Sequence, residues 1–138
     1  MEVKINIITK QYDENSNVDT INVNTIGELY TKNGDTYVVY KTIEEGRTTT
    51  STIKITEDEL TIKQFGDSNS TMVLKQDKNT ITKYRTPQGL FIIETDTTKL
   101  KIDKEKEKCI KIEVKYNIKI MDIFQGRNEI SILIQNKE

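Results

Sequence analysis

From Ile110 to Ile120 every second residue is apolar: Ile110, Ile112, Val114, Tyr116, Ile118 and Ile120. The residues between them, Lys111, Glu113, Lys115, Asn117 and Lys119, are all polar or charged. A period of two held over so long a run marks a β-strand with one face buried and the other in water. Such a strand is about twice the usual length. Flat sheets of long strands expose unpaired edges, and curling into a barrel removes them. The rest of the chain agrees. It contains no alanine and is rich in threonine, isoleucine, valine and tyrosine, so helix propensity is poor and β-propensity high throughout.

Turn chemistry divides the chain into strand-like pieces without a linker or internal repeat, and residues 1–138 read as a single domain. The first piece runs from Val3 to Tyr12 and ends in the polar stretch 13–17. The second, Val18 to Thr31, contains Gly27, the mark of a bulge or sharp bend. Asn33-Gly34 is a strong hairpin signal because both residues tolerate positive φ. Strands are then expected over 36–43, 48–56, 60–65, 71–76 and 80–85, with Glu45-Gly46 among the turns. Thr86-Pro87-Gln88-Gly89 places proline second and glycine fourth, as a type I turn prefers. In the next piece, 90–102, the apolar phase shifts from Phe91 and Ile93 to Leu100 and Ile102, and a bulge near Thr98 restores one inner face. Residues 103–108 read as a charged loop, the long strand runs to about Asp122, and Gln125-Gly126 reads as the last turn.

Short connections favour antiparallel neighbours. The expected fold is therefore all-β, an antiparallel up-and-down barrel of about eight to ten strands, with a two-sheet β-sandwich as the alternative closure. Ile5, Ile7, Val23, Leu29, Ile93, Ile112, Val114, Ile118 and Ile132 are assigned to the interior. Ile8, Ile26, Val38 and Tyr40 fall out of phase and are assigned to an apolar outer patch.

Tyr84-Arg85-Thr86-Pro87-Gln88-Gly89-Leu90, followed by Thr95 and Thr97, resembles the YwiB-like family. So do Ile26-Gly27-Glu28-Leu29-Tyr30 upstream and Ile112-Glu113-Val114-Lys115-Tyr116 downstream. The resemblance covers nearly the whole chain. It implies a calycin-type, lipocalin-like β-barrel in a bacterial cytosolic protein and carries over no catalytic residue. The chain departs from the family pattern at Lys41, Thr42, Gln64 and Gln88, which bears on any shared ligand.

The formal charge is −1, which gives no general attraction to nucleic acid or anionic membrane. It is uneven: residues 1–69 carry 7 Lys/Arg against 12 Asp/Glu, and residues 70–138 carry 14 against 10. A barrel would place these halves on opposite walls. No apolar segment has the length of a signal peptide core or membrane span. With a single cysteine, Cys109, no internal disulfide is possible. The expected setting is cytoplasmic.

There is no histidine, hence neither the commonest general base nor the commonest metal ligand. Cys109 has no histidine to activate it and reads as an inert thiol at a barrel end. Glu94 and Asp96 share a face, but it is opposite Phe91, Ile93, Thr95 and Thr97, so a solvated outer pair is preferred to an acid–base pair. No enzyme, cofactor or metal is expected. The three arginines, Arg47, Arg85 and Arg127, lie in or beside turns, and Arg85 is the best placed at a barrel mouth for an anionic group. Tyr37, Tyr84 and Tyr116 join an apolar body to a hydroxyl tip and suit a cavity wall. The candidate binding residues are therefore Tyr84, Arg85, Tyr116 and Tyr37.

Three functions are weighed. The leading one is a small-molecule-binding barrel whose aliphatic lining takes an apolar or amphipathic ligand. The alternative is an interaction or scaffold module with a filled core, monomeric or homodimeric, without nucleic-acid or membrane partners. An enzyme using Glu94, Tyr84 and Arg85 is the weakest.

Overall fold

A computed structural model of the chain describes residues 1–105 and 109–137. The strands are β1 (Glu2–Tyr12), β2 (Val18–Lys32), β3 (Asp35–Glu44), β4 (Arg47–Ile55) and β5 (Glu59–Phe65), then β6 (Ser70–Lys75), β7 (Asn79–Thr86), β8 (Gly89–Glu105), β9 (Cys109–Ile120) and β10 (Phe124–Asn136). They form one ten-stranded sheet in the order β6-β5-β4-β3-β2-β1-β10-β9-β8-β7. Each ladder is antiparallel. The sheet curls until its two edge strands meet, giving a nearly closed barrel rather than a sandwich. Strands β1–β6 make one wall and β7–β10 the other. Strands β1–β5 come from the acid-richer residues 1–69, and β6–β10 from the lysine-richer residues 70–138.

Two-residue turns set the register. Asn33 and Gly34 have φ of 55 and 85, and Glu45 and Gly46 have φ of 51 and 77. Paired positive φ values twist a turn to match its flanking strands. Lys32 is thereby set opposite Asp35, and Glu44 opposite Arg47. Directly opposed residues share a face, so one pinned pair fixes the facing of a whole strand.

That rule overturns one expectation. Leu29 faces Val38 and Gly27 faces Tyr40, so Val38 and Tyr40 belong to the interior with exposures of 0% and 9%. Tyr37 and Val39 take the outer face. Both faces of β3 are apolar enough to mislead, and its parity comes from its partner. Ile26 is on the outer face as expected and exposed. Most of the expected interior set holds: Ile5, Ile93, Ile112, Val114 and Ile132 are buried, and Ile7, Leu29 and Ile118 pack partly buried against the same cluster, while Val23, opposite Ile7, is half-buried outside it.

The bulge is where the phase change placed it. Register shifts between Thr97 and Lys99, carrying the inner face from Ile93, Thr95 and Thr97 to Leu100 and Ile102. The hydroxyl of the inserted Thr98 donates to the Lys115 carbonyl at 3.1 Å. Three local expectations change. Residue Gly27 makes no bulge, for its ladder to β1 runs through it without a register shift; the β2–β3 ladder ends at Gly27↔Tyr40. It is there for space: a Cβ would lie 2.5 Å from the Val39 carbonyl oxygen and 2.7 Å from Ile5 Cδ1. Gln125-Gly126 is not a turn but the start of β10, and the chain reverses at Met121–Ile123. Finally, β8 continues to Glu105 through much of the expected charged loop, whose residues 106–108 lie outside the described residues.

Val3, Ile5, Val38, Ile53, Ile55, Leu60, Leu74, Ile112, Val114 and Ile134 are almost wholly buried in one cluster spanning both walls. Each such side chain contributes about 1.5–3 kcal/mol of transfer free energy. The middle of the barrel is filled.

Candidate functional site

Strands β6 and β7 are neighbours in the chain, yet they are joined differently from every other adjacent pair. Asn69 and Arg85 exchange two backbone hydrogen bonds, at 2.9 and 3.0 Å, at one end. At the other end the Lys78 N–H donates to the Lys75 carbonyl at 3.0 Å, closing the turn. Between these points no ladder runs among the described residues. The Thr80 hydroxyl donates to the Val73 carbonyl at 2.8 Å, a side-chain bond where a ladder bond would be. Among the described residues this seam is the one junction between neighbouring strands of the barrel that has no ladder. Its base is tied to β8, since Asp77 N–H donates to the Thr97 carbonyl at 2.9 Å and Thr97 N–H to the Lys78 carbonyl at 3.0 Å.

Behind the seam the interior turns polar. Thr97, Tyr116 and Asn128 lie in one cross-strand row on β8, β9 and β10, each buried. Asn128 Nδ2 donates to the Tyr116 hydroxyl oxygen at 3.0 Å. Thr95 follows Thr97 on the same face, and Thr82 on β7 is also buried. The hydroxyls of Thr95 and Thr97 have no hydrogen-bond partner, although the residues are 0% and 1% exposed. A buried hydroxyl without a partner costs about 1–3 kcal/mol, so native chains rarely leave one. On the other wall Tyr40, Ser51, Gln64 and Ser70 form a second inward polar row.

The electrostatics of this interior are those of a dry site. Burial pushes the Tyr116 phenol above its ordinary pKa, with the Asn128 hydrogen bond pulling the other way. Tyr40 is raised for the same reason, against an opposing bond with Ser51. On the outside, Asp13 is lowered by hydrogen bonds from the Asn17 side chain and backbone and from the Asn15 backbone. Those bonds organise the 13–17 turn.

The four residues expected to bind do not converge. Tyr116 faces inward in the polar row. Tyr84 is half-buried on the inner face of β7, opposite Phe91. Arg85 is exposed, its backbone serving the bridge to Asn69. Tyr37 is on the outer wall, stacked on Tyr30 with ring centroids 5.2 Å apart and with the Lys54 ammonium 5.8 Å from its ring; its expected cavity-facing role is corrected. Glu94 and Tyr84 occupy opposite faces, and Glu94 accepts from Asn79 Nδ2 at 2.9 Å. Cys109 is half-buried at the start of β9. Sequence reasoning missed Thr95 and Thr97 as candidates, since they read there as ordinary strand residues.

The outer wall carries its own concavities. A groove of about 500 Å³ is lined by Tyr12, Asp13, Glu94, Asp96, Asn117, Lys119 and Arg127, among others. Its charges are already compensated in part: the Arg127 guanidinium lies 4.3 Å from the Tyr12 ring and 3.8 Å from Glu129. Among the described residues no acidic and thiol side chains gather in a group able to hold a metal ion.

The fold and seam define a ten-stranded meander barrel with a packed middle and one junction left unladdered. The family model described as "Domain of unknown function (DUF1934)" matches residues 5–132, and the chain belongs to that family. Among solved structures, the ywiB protein from Bacillus subtilis is similar over 99% of this chain and 92% of its own, with a TM-score of 0.86 and 18% identity. At that identity the likeness is one of fold, and it agrees with the resemblance carried by the turn and strand motifs. No match to the chain was found among curated proteins.

Proposed function

We propose that the protein is a non-catalytic binding barrel that takes a small apolar or amphipathic molecule through the β6–β7 seam. The observation that carries this reading is the pair of buried, unpartnered hydroxyls of Thr95 and Thr97 near the unladdered junction of β6 and β7. A ligand whose polar end reached them would supply the missing hydrogen bonds, and its apolar part would meet the aliphatic interior. Room comes from parting the seam, where the bond from the Thr80 hydroxyl to the Val73 carbonyl crosses from β7 to β6. Met72, half-buried on β6, is unbranched and adapts its shape readily. Native mass spectrometry and thermal shift against a panel of small amphipaths and apolar metabolites test the reading. Binders of the wild-type chain should be lost or weakened in a Thr95→Val/Thr97→Val variant that unfolds at no lower temperature. A panel without a binder sinks the reading.

A second reading, a protein-interaction module without a ligand, is favoured by the packed middle and by exposed apolar residues around the last turn. Leu90, Ile92, Met121, Ile123 and Phe124 gather there, and the Met121 N–H donates to the Ile92 carbonyl at 3.2 Å. Concentration-dependent sedimentation that Ile123→Ser abolishes would support it, and monomers at every concentration would count against self-association.

A further inference from the structure

Resting on the binding reading above, we infer that the ligand's polar end is uncharged: the carbonyl or hydroxyl oxygen of an amide, ester or alcohol, accepting hydrogen bonds from Thr95 and Thr97. The groups facing that point are neutral. Thr82, Thr95 and Thr97 offer hydroxyls, and the Tyr116–Asn128 pair offers a phenol already hydrogen-bonded to an amide.

The charged neighbours in sequence all alternate away. Glu94 and Asp96 on β8, and Lys115 and Lys119 on β9, are exposed on the outer face. Lys104, farther along β8, is exposed, with Nζ 3.5 Å from the Thr36 hydroxyl. A carboxylate, phosphate or ammonium seated at Thr95 and Thr97 would be buried with no counter-ion among the described residues, and two hydroxyl donors do not repay its lost hydration. A neutral acceptor loses far less on entry and satisfies both hydroxyls, since a carbonyl oxygen has two lone pairs. The raised pKa of Tyr116 points the same way, because the site already disfavours the charged form of its own phenol.

The test compares an eight-carbon amide, alcohol and carboxylic acid by calorimetric titration of the full chain at about pH 7.5, where a free carboxyl is ionised. The amide and alcohol should bind, and the carboxylate should bind about 100-fold more weakly. At about pH 4.5 the acid should recover as its neutral form appears. The Thr95→Val/Thr97→Val variant should lose about ten-fold in amide affinity while remaining folded by circular dichroism. Carboxylate binding equal to that of the amide at the higher pH overturns this inference and leaves the binding reading standing. If none of the three binds while other panel members do, the head-group assignment alone fails; if nothing in the panel binds, both fall.

Discussion

The two walls of the barrel meet at two places, and these are built in opposite ways. Strands β1 and β10 come from the two ends of the chain, yet they pair residue for residue from Val3↔Asn136 to Tyr12↔Arg127. Strands β6 and β7 are separated by a short turn, yet they are held by one bridge, a turn bond and the Thr80 hydroxyl. Nearness in sequence makes pairing cheap in loop entropy but does not make it happen. Inward side chains decide. Ile5, Ile7, Ile132 and Ile134 face one another across the first junction, whereas β7 presents Thr80 and Thr82 at the second. Burial of aliphatic surface draws the first pair tight, while threonines offer less apolar area and need partners of their own.

The largest expected consequence of this difference is in local opening. Amides of Ile5, Ile7 and Ile132 should exchange with solvent only through global unfolding, while those of Met72, Val73 and Ile81 should open locally. The two sets should differ in opening free energy by about 5 kcal/mol or more. Residue-resolved hydrogen exchange measures this, and equal protection would erase the distinction between the junctions. Next in size, Ile134→Ala removes a wholly buried side chain beside the tight junction and should cost about 2–5 kcal/mol in denaturant unfolding. Met72→Ala at the seam should cost less than half as much, and comparable losses would mean that the seam is packed as firmly as the rest.

The smallest effect is a pH dependence. Burial raises the Tyr116 pKa in the folded state, so its contribution is complete below the unfolded tyrosine value of about 10. It is lost as pH rises from there through the folded pKa. Unfolding free energy should therefore fall on the alkaline side. Tyr116→Phe should flatten part of that fall while costing about 1 kcal/mol at neutral pH through the unpaired Asn128 amide. Tyr40, raised in the same direction, keeps the remainder.

What could be read from the chain follows from which forces are local. The Thr98 bulge was legible because two apolar phases, each unambiguous, meet there. The facing of β3 was misassigned by judging the strand alone. The signal was present in Asn33-Gly34, since a two-residue turn opposes Leu29 to Val38 and an inward Leu29 then carries Val38 inward. Met121–Ile123 was overlooked because its one turn-forming residue, Asp122, stands between two apolar ones, and Met121 adopts a φ of 50 that glycine or asparagine would announce. Gly126 was misread as that turn. In the structure it lets β10 pass close to β1, where a Cβ would lie 2.5 Å from the Tyr12 carbonyl oxygen. The seam was out of reach, being a tertiary absence of pairing. The inward facing of Thr95 and Thr97 was legible from the alternation of β8, but their lack of a hydrogen-bond partner was not, because a threonine without one is spelled like one that has it.

The tight junction also makes the chain's linear order almost incidental to its architecture. With β1 beside β10, and the Lys137 N–H reaching the Glu2 carbonyl at 3.3 Å, the meander is in effect a ring whose nick happens to fall in its firmest place. A circular permutant joined there by a short linker and reopened at Gln76–Asp77 would keep every strand ladder. Its new ends would fall at the loosest point of the circumference, turning the seam into a pair of free flaps.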